Sequence, residues 1–191
     1  MTETSLARDP IAQIHDLFAR RGDLAYGEAI DQLQHALQSA RLAELRGEGP
    51  AMITACLLHD IGHMQHEDAA AALACGDDDG HESIGMHFLL PWFSDQVVAP
   101  VALHVQAKRY LAAVDAEYLA QLSRVSRHTL DLQGGPMSLV EAATFARLPF
   151  ASAAIRLRRI DEAAKVPGAS TPPLSHYLRI AAGCRRDRRA K

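Results

Sequence analysis

Apolar residues along the chain recur at helical spacing, and few stretches show the β-branched alternation that a strand needs. Alanine, leucine and arginine, all strong helix formers, recur throughout. Helix-length patterns fall at 9–20, 28–46, 50–59, 81–91, 94–106, 114–131, 138–147, 150–164 and 173–187. Breakers separate them: Gly47 to Pro50, Gly76 to Gly80, Pro91, Gly134 to Pro136, and Val166 to Pro173. No repeat, low-complexity block or long linker interrupts the series. The pattern predicts an all-α helical bundle, one compact domain over 1–191.

Composition narrows the class. The chain has 191 residues, 48% hydrophobic, and 20 basic against 23 acidic side chains. That length buries a core without disulfides. A net charge of −3 argues against a nucleic-acid partner, which calls for a broadly basic footprint. Cys56, Cys75 and Cys184 are odd in number and far apart, so they form neither a disulfide framework nor a CxxC knuckle, and a cytoplasmic setting is expected. No apolar run is long enough to cross a bilayer, and the polar start MTETSLARDP does not read as a signal peptide. The basic tail from Arg185 to Lys191 is expected to be a solvated terminus. Oligomeric state is left open.

The candidate chemistry lies in the histidines, ten in all. His59-Asp60 closes the apolar run Met52 to Leu58, so an imidazole and a carboxylate sit at the end of a buried helix. Burying both is costly unless a charge compensates, which a metal ion does. Gly62 lets the backbone turn, and His63 follows four residues after His59. His35 lies mid-helix, and His81 opens a helix after the acidic run Asp77-Asp78-Asp79. His104 ends another helix, and Asp161 falls late in a third among Ile155, Leu157 and Ile160. Each alone is more often structural; the joint pattern across different helices is what points to metal. Four imidazoles and two carboxylates exceed the three ligands of a catalytic zinc. They suit two metals sharing one carboxylate, with iron or manganese matching the nitrogen and oxygen donors. His15, His66, His87, His128 and His176 have no comparable setting.

With these residues the sequence resembles the HD-domain metalloproteins, and within them the mixed-valent di-iron oxygenases that cleave organophosphonates. His35, His59-Asp60 and Asp161 carry the HD resemblance, which runs from about Gly22 to Tyr177. The oxygenase branch is indicated by His81 and His104 and by three segments: Tyr26 to His35, His104 to Tyr110, and Ser126 to Met137 with its Gln-Gly-Gly-Pro-Met ending. The resemblance implies an HD-domain helical bundle holding two iron ions, with O2 as co-substrate. One iron would be held by His35, His59, Asp60 and Asp161, the other by Asp60, His81 and His104. It further implies that His63 stands beside the metals and that Lys108, Ser126, Thr129 and Gln133 hold a phosphonate group. Ser126, Thr129 and Gln133 share one helical face, as a solvent-facing polar stripe would also. The implied reaction cleaves the carbon–phosphorus bond of a 1-hydroxyphosphonate to give phosphate and a carboxylic acid.

Tyr26, Glu28 and Asp31 precede His35, and two acids with an aromatic ring suit a cationic substituent, a primary or a quaternary ammonium. The segment departs from the pattern of the family's amino-phosphonate members, which has one more residue between the tyrosine and the glycine and no acid at the position of Asp31. The resemblance therefore points to 1-hydroxy-2-(trimethylammonio)ethylphosphonate, yielding glycine betaine, with the 2-amino analogue as alternative. The same acids would also favour a helix N-terminus. An ordinary HD phosphohydrolase using metal-activated water shares the first ligand set but has no evident use for the Ser126 to Met137 segment. A non-catalytic HD module ranks last, because all six ligand positions are kept.

Overall fold

The computed structural model describes residues 9–25, 29–65 and 80–186, which form ten helices. They are α1 (Pro10–Arg21), α2 (Gln32–Leu45), α3 (Pro50–Leu58), α4 (His81–Leu89) and α5 (Asp95–Val114). Then follow α6 (Ala116–Gln121), α7 (Arg124–Leu132), α8 (Leu139–Phe145), α9 (Ala151–Ala163) and α10 (Leu174–Gly183). Among the described residues no strand forms; two isolated bridges join Ala25 to Asp31 and Phe93 to Arg185. The fold is the all-α bundle that the hydrophobic pattern predicts.

Local chemistry starts each helix. Asp9 and Asp31 accept from backbone N–H groups of α1 and α2, and Pro10 and Pro50 stand at first helical positions, where a missing N–H costs nothing. Buried on every side, α3 is the central element, with Met52 through Leu58 all in the core. Helices α2, α5 and α10 pack around it, and α9 lies along α5. The main core joins Ile14, Phe18, Leu57, Leu58, Val101, Leu157 and Tyr177. Two smaller apolar clusters sit beneath α6, α7 and α8.

Two boundaries differ from the pattern. The expected helix 94–106 continues to Val114, because Ala107, Leu111 and Ala112 keep an apolar face inward. The expected helix 114–131 is two helices, α6 and α7. Asp115 caps the first by accepting from Tyr118, and Ser123 caps the second by accepting from Ser126. The start of the basic tail is tied down: Arg185 pairs with Asp9 at 2.8 Å and Arg186 with Asp95 at 2.7 Å. No described helix is long and apolar enough to cross a membrane.

One close approach positions the centre. A Cβ on Gly62 would lie 2.0 Å from the carbonyl oxygen of His81, so only glycine lets the turn after His59-Asp60 lie against the start of α4. Gly62→Ala is therefore expected to force backbone apart and cost about 2–3 kcal/mol, roughly 5–10 °C in Tm. Gly183→Ala, with nothing within 4 Å, should stay within about 0.5 kcal/mol of wild type. Thermal unfolding of both variants checks this.

Candidate metal centre

Five helices or their ends converge on Asp60. His35 comes from the middle of α2, His59 from the end of α3, His81 from the start of α4, His104 from the middle of α5 and Asp161 from late α9. All six residues are buried, none more than 8% exposed. Five of them form two donor triads, His35–His59–Asp60 and Asp60–His81–His104, that share the one carboxylate.

The two oxygens of Asp60 face different partners. Oδ2 lies 3.2 Å from His59 Nε2 and 3.6 Å from His35 Nε2. Oδ1 lies 3.5 Å from His81 Nε2 and 3.6 Å from His104 Nε2. Asp161 joins the first side only, with its Oδ1 3.3 Å from His35 Nε2 and 3.8 Å from His59 Nε2.

Backbone carbonyls fix the ring tautomers. His35 Nδ1 donates to Ala164 O at 2.9 Å, His59 Nδ1 to Cys56 O at 2.9 Å, and His104 Nδ1 to Val101 O at 2.7 Å. A carbonyl only accepts, so each Nδ1 carries a proton and each Nε2 is turned inward. Yet His35 Nε2 and His59 Nε2 are 3.2 Å apart, and His81 Nε2 and His104 Nε2 are 3.0 Å apart. Between His35 and His59, both anchored through Nδ1, the facing nitrogens need a cation between them, whether a proton or a metal ion; His81 has no such anchor, and its Nε2–H can donate to His104 Nε2. A metal ion in each triad suits both pairs, and imidazoles anchored through Nδ1 are the arrangement metal-bound histidine adopts.

Charge balance leads to the same requirement. Burial opposes ionisation of Asp60 and Asp161, but facing imidazoles, and for Asp161 the Arg158 guanidinium, hold both well below the usual carboxylate range. Burial and the neighbouring His81 push His104 well below the ordinary histidine value, leaving a neutral donor. Burial opposes charge on His59 as well, yet Asp60 and Asp161 outweigh it and raise this imidazole to about 10. The two triads form a metal-binding centre whose donors are nitrogen and oxygen alone.

Around this centre the other expected residues divide. His63 is half-buried and stacks on His81, with ring centroids 3.8 Å apart. Lys108, one turn beyond His104, is buried and donates to Thr129 Oγ1 at 2.8 Å. Burial and the nearby Arg158 lower its ammonium to about 7. Ser126 is buried, while Thr129 and Gln133 are half-buried; Arg127, His128 and Asp131 take the solvent side of α7. The stripe therefore faces inward. Asp31 caps α2, its Oδ1 2.7 Å from Gln34 N, the helix-N-terminus role foreseen as the other possibility. Tyr26 and Glu28 lie outside the described residues.

Three charged residues of this region were not singled out from sequence. Arg158 is buried, bonds Asp161, and donates to Tyr118 OH at 2.7 Å and Ser126 Oγ at 3.2 Å. Glu162 accepts from Ser123 N at 2.9 Å and from the Ser126 hydroxyl at 2.9 Å. Lys165 donates to Ser126 Oγ at 2.7 Å. Within the sequence, the only sign of them is their spacing: Arg158 stands three residues before Asp161 and four before Glu162.

Comparison with known proteins agrees with this geometry. The HD domain family model matches residues 33–142, more than half of the chain. A hydroxymethylphosphonate dioxygenase of Gimesia maris is 42% identical over 179 residues, covering 91% of this chain and 88% of its own. The glycine-betaine-forming [1-hydroxy-2-(trimethylamino)ethyl]phosphonate dioxygenase of Leisingera caerulea is 40% identical over 165 residues, covering 86% and 84%. With both His triads buried around one HD carboxylate and relatives of this identity along most of its length, the chain belongs to the HD domain family, in the group that includes these phosphonate dioxygenases.

Proposed function

We propose that the protein is a di-iron oxygenase that uses O2 to cleave the carbon–phosphorus bond of a 1-hydroxyphosphonate. The observation that carries this is Asp60, one oxygen turned toward each histidine pair, a carboxylate suited to bridging two metals. Donors of nitrogen and oxygen only, with no thiolate among them, suit iron. The chemistry a bound iron pair supplies is O2 activation and oxidation of the carbinol carbon. The overall reaction converts hydroxyphosphonate and O2 to carboxylate, hydrogen phosphate and a proton, with one oxygen atom entering each of the two main products.

The chain's own residues are assigned the remaining work. Lys108, Ser126, Thr129 and Gln133 bind the phosphonate oxygens, and Arg158 adds a guanidinium to that grip. His63 steadies His81 through ring stacking and meets the bound substrate. The buried setting excludes water, which strengthens every charge contact within it. For the substituent at carbon 2, the names of the two relatives frame the choice: one acts on hydroxymethylphosphonate, the other on the trimethylamino compound. The acids Glu28 and Asp31 with Tyr26 favour a cationic substituent, and the 2-trimethylammonio compound is the expected substrate.

Dioxygen uptake coupled to phosphate release is the decisive assay. Turnover efficiency on the 2-trimethylammonio compound should exceed that on the 2-amino analogue and on hydroxymethylphosphonate by at least tenfold, roughly 1.4 kcal/mol. Anaerobic phosphate release from phosphoesters, with no O2 uptake on any hydroxyphosphonate, would establish a phosphohydrolase instead. Metal analysis checks the shared carboxylate: Asp60→Ala should lose both irons, whereas His104→Ala should mainly lose the second.

Lys108 supplies two further expectations. Lys108→Ala should lower kcat/KM about 10–100-fold with iron content unchanged, the loss of one charge-assisted contact. In wild type, the ammonium is charged below about pH 7 and becomes a neutral amine above it. Attraction for a dianion is therefore lost as pH rises, so kcat/KM should fall from pH 7 to 9. Lys108→Arg, charged throughout, should flatten that profile.

A further inference from the structure

Ser126 is the most contested atom of the anion-binding region. Its hydroxyl carries one proton and two lone pairs. The proton is given to Glu162 Oε2 at 2.9 Å. The lone pairs accept from Lys165 Nζ at 2.7 Å and from Arg158 Nη2 at 3.2 Å. Its hydrogen-bonding capacity is full. The same Arg158 nitrogen also donates to Glu162 Oε2, and Lys165 Nζ lies 3.1 Å from that oxygen. One carboxylate oxygen thus takes a hydroxyl, a guanidinium and an ammonium, the donors an anionic head group would need.

We infer that Glu162 is a resident counter-ion occupying the anion seat, which an incoming phosphonate or phosphate has to displace from Ser126 and Arg158. This inference rests on the phosphonate reading of the pocket and assigns it an affinity-setting residue. The local charges support it. Glu162 answers both Arg158 and Lys165. With the carboxylate in place, part of the positive charge that a dianion needs is already offset. Such a seat keeps its buried cations satisfied when empty and lets a phosphate product leave. A purely structural role is the competing account, since Glu162 also holds the first residue before α7 through Ser123 N.

Inorganic phosphate separates the two accounts. It is measured as an inhibitor of turnover and, by calorimetry on the metal-loaded protein, as a ligand. Glu162→Gln keeps the shape and removes the charge, so phosphate should bind at least tenfold tighter, with metal content unchanged and substrate KM lowered. Glu162→Asp keeps the cluster's charge and hence its fold, but withdraws the carboxylate by one methylene from Ser126. It should tighten phosphate about threefold, and it serves if the glutamine variant fails to fold. Phosphate binding unchanged or weaker in the folded variants would overturn the inference and leave Glu162 as a brace between α9 and α7. Calorimetry needs no turnover, so the two readings fail separately. Phosphate tightening without O2 uptake on any hydroxyphosphonate would leave the seat standing and remove the oxygenase. Turnover without tightening would remove only the role of Glu162.

Discussion

A buried carboxylate facing four imidazoles is the constraint on which this protein depends. Asp60 is 8% exposed, and its two oxygens look toward two pairs of Nε2 atoms. In the first pair both rings are anchored to carbonyls through Nδ1, so no arrangement of protons relieves it without charging an imidazole. The fold is the apparatus that holds this costly grouping together. Rigid α3 delivers His59 and Asp60 from the core, and the glycine at 62 lets α4 bring His81 against them. The long α5 and the late turn of α9 close the remaining sides with His104 and Asp161.

The anchors extend well beyond the ligands. Gln38, one turn after His35, exchanges two hydrogen bonds with the backbone of Val166, each at 2.9 Å. That clamp fixes the segment after α9 onto α2, and Ala164 in the same segment takes the Nδ1 proton of His35. A loop residue with no chemistry of its own thereby decides which nitrogen of a metal ligand faces inward. Metal-site geometry is therefore set by backbone carbonyls, which sequence composition does not reveal.

What the sequence revealed follows the same division. Most helix boundaries lie within a few residues of the pattern, because Pro50, Gly80, Pro91 and Gly134 carry their own stop signals in their backbone chemistry. The pattern ends α5 too early because Lys108 is buried on its inward face, one turn after His104, and a lysine there looks like the place where amphipathic order ends. The buried cluster of histidine and aspartate could be read because both are costly to bury, and their positions stand out against apolar neighbours. Arg158 could not, since Arg156 and Arg159 flank it in a stretch that reads as a solvated cationic face. Arg156 instead pairs with Glu48 and Arg159 with Asp115 at the surface, while Arg158 turns inward. Only tertiary packing distinguishes the three.

That inward arginine also joins the two halves of the site. One guanidinium bonds the metal-facing Asp161 through Nη1 and the Ser126–Glu162 pair through Nη2. The charge of Asp161 is answered first by Arg158 and then by His35 and His59. On its other edge the same guanidinium meets Ser126 and Glu162, so one planar set of donors holds two carboxylates that belong to different clusters. A substitution that loosens Arg158 on one side therefore disturbs the group it holds on the other.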